Sequence, residues 1–187
     1  GIPGNQILLL QQELIGKASG ASESDLYKSH EINSAIFDIV IKSNNTDTLR
    51  NELTGFLMQK LIESADSQKP EGISDSDFVK SQVDQISTPW MQYFIKYDPA
   101  PTLKKVKCRV LALNGEKDLQ VPANENLPAI KSALLKSGNK NVTTKEFPNL
   151  NHLFQECKTG LPAEYAQIEQ TISPVVLVEI VKWIGLK

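Results

Sequence analysis

Cys108-Arg-Val-Leu-Ala-Leu-Asn114 runs into Gly115-Glu-Lys-Asp118-Leu-Gln-Val-Pro122, and 34 residues beyond Asp118 a second run, Val142-Thr-Thr-Lys-Glu-Phe147, has led to Asn151-His152. The stretch from Val106 to Leu113 is almost continuously apolar, which predicts a strand buried on both faces of a parallel sheet. Val142 to Phe147 alternates more and carries polar members, so it reads as a strand nearer a sheet edge. Between them, Leu127, Ile130, Ala133 and Leu134 share one face of a helix from about 124 to 137, with Gly138 as its C-cap. A last helix, about 174 to 184, is expected to turn Val175, Val178, Val181 and Ile184 inward, with Trp183 covering the sheet. Strand, helix, strand, helix in that order calls for right-handed parallel connections. It also sets an acid on the turn after one strand and a histidine after the next, two thirds of a Ser-His-Asp system.

Upstream the period changes to that of helices. Ser22-Glu-Ser-Asp25 forms a capping box, and Leu26, Ile32, Ile36, Phe37, Val40 and Ile41 follow at helical spacing, predicting a helix over 22–43. After Asn44-Asn45 the pattern resumes with Leu49, Leu53, Phe56, Leu57 and Leu61 to about 65, where Ser67-Gln-Lys-Pro70-Glu-Gly72 ends it. Ser74-Asp-Ser-Asp77 caps another short helix. Thr88-Pro89-Trp90 opens one more, with Pro in its first turn and aromatics expected to face a partner surface. Asp98-Pro-Ala-Pro101 closes this half. The chain thus divides into a helical region, 1–97, and a β-α-β-α portion, 98–187.

Composition narrows the function classes. With 187 residues, 40% of them hydrophobic, the chain can bury a core of ordinary size. Twenty basic and 22 acidic side chains nearly cancel, which disfavours nucleic acid or an anionic membrane as partner. Apolar runs such as Ile7 to Leu10 fall far short of the roughly 20 residues of a membrane span. Cys108 and Cys157 lack metal-ligand spacing, and Cys108, opening an apolar strand, reads as a small buried hydrophobe. His30 has no second ligand at i+4, and Asp75-x-Asp77 lacks the rest of a calcium loop; neither metal nor cofactor is implied. Glu63, Asp66, Asp75, Asp77 and Asp84 read as solvated acidic faces. Gly1-Ile-Pro-Gly4 has no Met and no signal-peptide core, so it reads as the start of a fragment and leaves localisation open.

Tyr97-Asp-Pro-Ala-Pro through Asp118-Leu-Gln-Val-Pro122, followed by Phe147-Pro-Asn-Leu-Asn-His152-Leu-Phe, resembles the C-terminal part of α/β-hydrolase serine esterases over about residues 97–187. The resemblance implies a partial α/β-hydrolase fold, with Asp118 as the triad acid and His152 as the base. Gly1-Ile-Pro-Gly4 with Gln6 to Gln11 resembles the stretch after the sixth strand of such enzymes, which makes the helices before residue 97 a lid. A small acyl or ester compound is the implied substrate. The family's nucleophile elbow, Gly-x-Ser-x-Gly, occurs nowhere in the chain. The nearest approach, Gly16-Lys-Ala-Ser19-Gly20, has the wrong spacing and no preceding strand, so Ser19 reads as a loop or helix-end residue.

Two expectations follow. This portion by itself is inactive, the serine and the first five or six strands lying outside it. A sheet of two strands also leaves an open edge, through which the chain is expected to form a homo-oligomer. A module that is not catalytic, associating through that edge or binding an apolar ligand, is the competing class.

Overall fold

The computed structural model describes residues 1–63 and 69–185; the end of the helix expected near 65, Asp66 and the start of the 67–72 breaker lie outside them. It is a mixed α/β chain, mostly helical, with one parallel sheet of two strands. Cα proximity divides it into two compact units: Gly1–His30 with Asp98–Lys187, and Glu31–Tyr97. The first 30 residues therefore cluster with the C-terminal portion, and the division falls inside a helix.

The helical unit holds the end of α2 (Glu23–Lys42), then α3 (Thr46–Glu63), α4 (Asp75–Ile86) and α5 (Pro89–Lys96). Local chemistry starts these helices. Ser22 and Ser74 each accept the backbone N–H three residues on, at 3.2 and 3.1 Å, and Thr88 does the same for Met91 at 3.3 Å. Such caps each contribute about 1 kcal/mol. The core of the unit is Ile36, Phe37, Val40, Leu49, Leu53, Val79, Val83 and Ile95, all buried. Trp90 and Tyr93 point outward, stacked on Phe94 and Tyr97.

In the other unit, α1 (Gly4–Ala18) ends at Ser19, which serves as its C-cap, and Gly20 follows in the left-handed region. A single turn, α6 (Ala100–Leu103), precedes β1 (Val110–Gly115); α7 (Ala123–Lys136) packs against both β1 and β2 (Val142–Phe147). The strands pair in parallel from Val110 opposite Val142 to Gly115 opposite Phe147. A 3-10 helix (Pro162–Gln167) and α8 (Pro174–Gly185) complete the unit.

Three sequence expectations are corrected here. β1 begins at Val110 rather than Val106, because Asn139 Nδ2 takes the carbonyls of Val106 and Cys108 at 3.0 and 2.9 Å, removing them from any ladder. Cys108 is accordingly exposed, and only Asn114 and Gly115 of β1 are fully buried, so the strand is not enclosed on both faces. The third concerns α8. Val175, Val178, Val181 and Ile184 are 55–70% exposed, whereas Val176 is buried and Ile180 packs beside it on Phe147 and Leu150. A helix apolar nearly all round gives periodicity little to choose between, and the face bearing Val176 and Ile180 is the one that seats on the sheet. Trp183 does reach the sheet, its Nε1 donating to Thr143 Oγ1 at 3.2 Å beside a Lys145–Glu179 pair at 2.5 Å.

Candidate acid–base site at the strand ends

β1 ends at Gly115 and the chain turns at once. The Asp118 side chain folds back on the turn, its Oδ1 accepting the backbone N–H groups of Gln120 at 2.9 Å and Val121 at 2.8 Å. Aspartate suits such a turn because its short carboxylate reaches amides two and three residues ahead. Oδ2 accepts Asn114 Nδ2 at 3.1 Å, and only 5% of the side chain remains exposed.

The histidine loop is shaped by its neighbours. Asn151, fully buried, accepts the backbone N–H groups of Leu153 and Gln155 at its Oδ1, at 2.9 and 3.0 Å. Its Nδ2 donates to Gln155 Oε1 at 2.9 Å, and its own backbone N–H donates to Gln155 O at 3.0 Å. Asn149 and Phe154 take positive φ, 60° and 57°, on either side of the bend. Phe154 then meets Phe147 edge to face, with centroids 6.3 Å apart, which pins the loop to the apolar core.

Main-chain bonds lace the two loops together. Glu116 N–H donates to Phe147 O at 2.8 Å and Lys117 N–H to Leu150 O at 2.9 Å, while Asn149 N–H returns a bond to Glu116 Oε2 at 2.8 Å. The approach at Gly115 is so close that a Cβ there would lie 2.2 Å from Leu150 O and 2.6 Å from Asn151 O. Glycine is the residue that permits it. A third segment closes in at Gly160, whose own Cβ would sit 2.2 Å from Lys117 O.

These contacts bring Asp118 and His152 together. His152 Nδ1 lies 3.1 Å from Asp118 Oδ1 and 3.0 Å from Oδ2. That hydrogen bond raises the imidazole above its ordinary value of 6.5; burial opposes the shift, and the aspartate charge adds to it. With Nδ1 donating to the carboxylate, the neutral ring carries its proton there and leaves Nε2 as the acceptor. The side chain is 37% exposed, and among the described residues no hydroxyl or thiol bonds to it. The arrangement can hold and pass a proton at Nε2.

Nearby groups complete the surroundings, Tyr165 among them through a hydrogen bond with the His152 backbone. Tyr165, on the 3-10 helix, accepts Gln120 Nε2 at 3.1 Å; burial, joined by the Asp118 charge, raises its phenol. Glu164 accepts the Thr159 hydroxyl at 2.6 Å and the backbone N–H groups of Lys158, Thr159 and Gly160, which pull its carboxyl down to about 2. The Cys157 thiol is pushed up by burial and by the Glu164 charge. An open groove of about 660 Å³ runs past Phe147, Leu150, Cys157, Ile168 and Val175, and neither Asp118 nor His152 lines it.

No protein-family model, curated protein or solved structure matches this chain. The chemistry is therefore argued from geometry. Sequence reasoning had Asp118 and His152 and missed Asn114, Asn151, Gln155 and Tyr165. Asn114 did leave a trace, as an amide that ends the apolar run Val110-Leu-Ala-Leu113 four residues ahead of Asp118.

Proposed function

We propose that residues 97–187 form the acid–base end of an α/β-hydrolase-type serine hydrolase acting on carboxylic esters or related acyl compounds. Asp118 orients His152, and the serine nucleophile lies outside residues 1–187. Carrying this reading is the contact of His152 Nδ1 with a nearly buried carboxylate at 3.0 Å, on two loops fixed by the ends of parallel strands. His152 Nε2 takes the proton of the serine hydroxyl as its oxygen bonds to the acyl carbon. The imidazolium then returns that proton to the leaving alkoxide, and water repeats the exchange to release the acid. On this reading the helices ahead of residue 97 belong to the lid of the complete enzyme; within the helical unit, Met58, Val79 and Val83 share the lining of a groove of about 260 Å³ with Arg50, Thr54, Ser76 and Lys80.

The test begins with the reading frame upstream of Gly1, which must encode strands and a Gly-x-Ser-x-Gly. The complete polypeptide should then be labelled at that serine by a fluorophosphonate, and His152→Ala should lower p-nitrophenyl ester turnover by roughly 10⁴-fold or more. The 187-residue chain alone should show neither activity. An upstream sequence without the elbow, or ester turnover by the short chain that His152→Ala abolishes, overturns the reading.

A second reading has its own observation. Each strand keeps one edge without a strand partner among the described residues, and the outward row of Val175, Val178, Val181 and Ile184 on α8 is apolar. Such surfaces favour association with a second copy of the chain. Light scattering decides it: a monomer at every concentration removes this reading.

A further inference from the structure

Asn114 is the last polar side chain of β1 before the acid turn, and it is 4% exposed. Its amide nitrogen donates to two acceptors, Asp118 Oδ2 at 3.1 Å and Val121 O at 2.7 Å. Its amide oxygen accepts Asn126 Nδ2, from the first turns of α7, at 3.1 Å. This set fixes which way the amide faces. Turning Asn114 over would aim its oxygen at a carboxylate and a carbonyl, and its nitrogen at the donor of Asn126.

The oxygen that Asn114 holds also faces the histidine. His152 Nδ1 faces both carboxylate oxygens, at 3.0 Å from Oδ2 and 3.1 Å from Oδ1, and Oδ2 is the one it shares with the Asn114 amide. Oδ1 also accepts the backbone N–H groups of Gln120 and Val121. The two backbone N–H groups keep the carboxylate in place, while the side-chain amide draws on the charge of the other oxygen. We propose that Asn114, oriented by Asn126, is a positioning residue for the Asp118–His152 pair, directing Asp118 Oδ2 and limiting how much of its charge reaches the imidazole.

The sign follows from electrostatics. An N–H dipole aimed at Oδ2 places its positive end beside the histidine and disfavours the imidazolium. Removing it leaves Asp118 anchored through Oδ1 and makes His152 easier to protonate. Among the described residues Asp118 is the charged group that acts on His152, and Tyr165, which adjoins the pair from the 3-10 helix, keeps its proton through burial. A residue that served only to hold the loop would act in the opposite direction, because a loosened pair returns the imidazole toward its ordinary 6.5.

The catalytic meaning of this rests on the serine hydrolase reading; the titration below does not, so either can fail alone. The chain has two histidines, so NMR titration of the imidazole protons is read in a His30→Gln background, where His152 is the histidine that remains. In Asn114→Leu, His152 is expected to titrate at higher pH than in the parent. Asn126→Leu, at a less buried site, is expected to move His152 the same way by less. If Asn114→Leu does not fold, Asn126→Leu decides. A His152 titration unchanged or displaced toward 6.5 in the folded variant overturns the proposal.

Discussion

Asp118 and Asp84 each collect several donors, in opposite surroundings. Asp84, on α4, pairs with Arg50 and with Lys80 at 2.8 Å, and its carboxyl is lowered chiefly by the bond from Arg50, yet 43% of its side chain meets solvent. Water competes for every one of those contacts, so they add little to stability. What joins α3 to α4 is the seam of Leu49, Leu53, Val79 and Val83, where shape tolerates change and burial does not. At the strand ends the balance is reversed. Buried amides and a carboxylate define the geometry there, and the backbones are too close for an added methyl group. One region is secured by how much it buries, the other by where each polar atom stands.

Two glycine substitutions sharpen that contrast. Gly115→Ala forces a Cβ against Leu150 O and Asn151 O, main-chain atoms that cannot rotate away; urea unfolding should show a loss of about 4 kcal/mol or more. Gly55→Ala, on the open side of α3 with nothing near its Cβ, should instead stabilise the chain by about 1 kcal/mol, the ordinary helix preference for alanine. Equal effects at the two sites would break the distinction.

The smallest expected effect is on pH dependence. The folded-state value of His152 is raised, so its contribution is fully present below the unfolded value of about 6.5 and is lost as pH rises through the folded value. Comparing parent and His152→Gln in urea at several pH values isolates it. The difference between them should shrink above pH 6.5, and a difference that grows there would contradict the Asp118–His152 bond.

How legible this was in the sequence varied with the range of the interaction. The helix starts at Ser22, Ser74 and Thr88 could be read because cap and capped amide are three residues apart. Asp118 and His152 could be read from strand order. The start of β1 could not, since it depends on Asn139 reaching back 33 residues to the Val106 carbonyl. Nor could the inward face of α8, where Val176 and Val175 are equally apolar and only the position of Phe147 and Leu150 chooses between them. The Asn114–Asn126 contact and the tight approach at Gly115 exist only once the loops have met.

Trp183 has a use beyond packing. Its indole lies under the Arg109 guanidinium at 4.4 Å and is tethered to Thr143, whereas Trp90, the other tryptophan of the chain, is 65% exposed and stacked on Phe94. Each compact unit therefore carries one native fluorophore in its own environment. Replacing either indole with phenylalanine yields a chain whose emission reports the melting of a single unit, with no added dye.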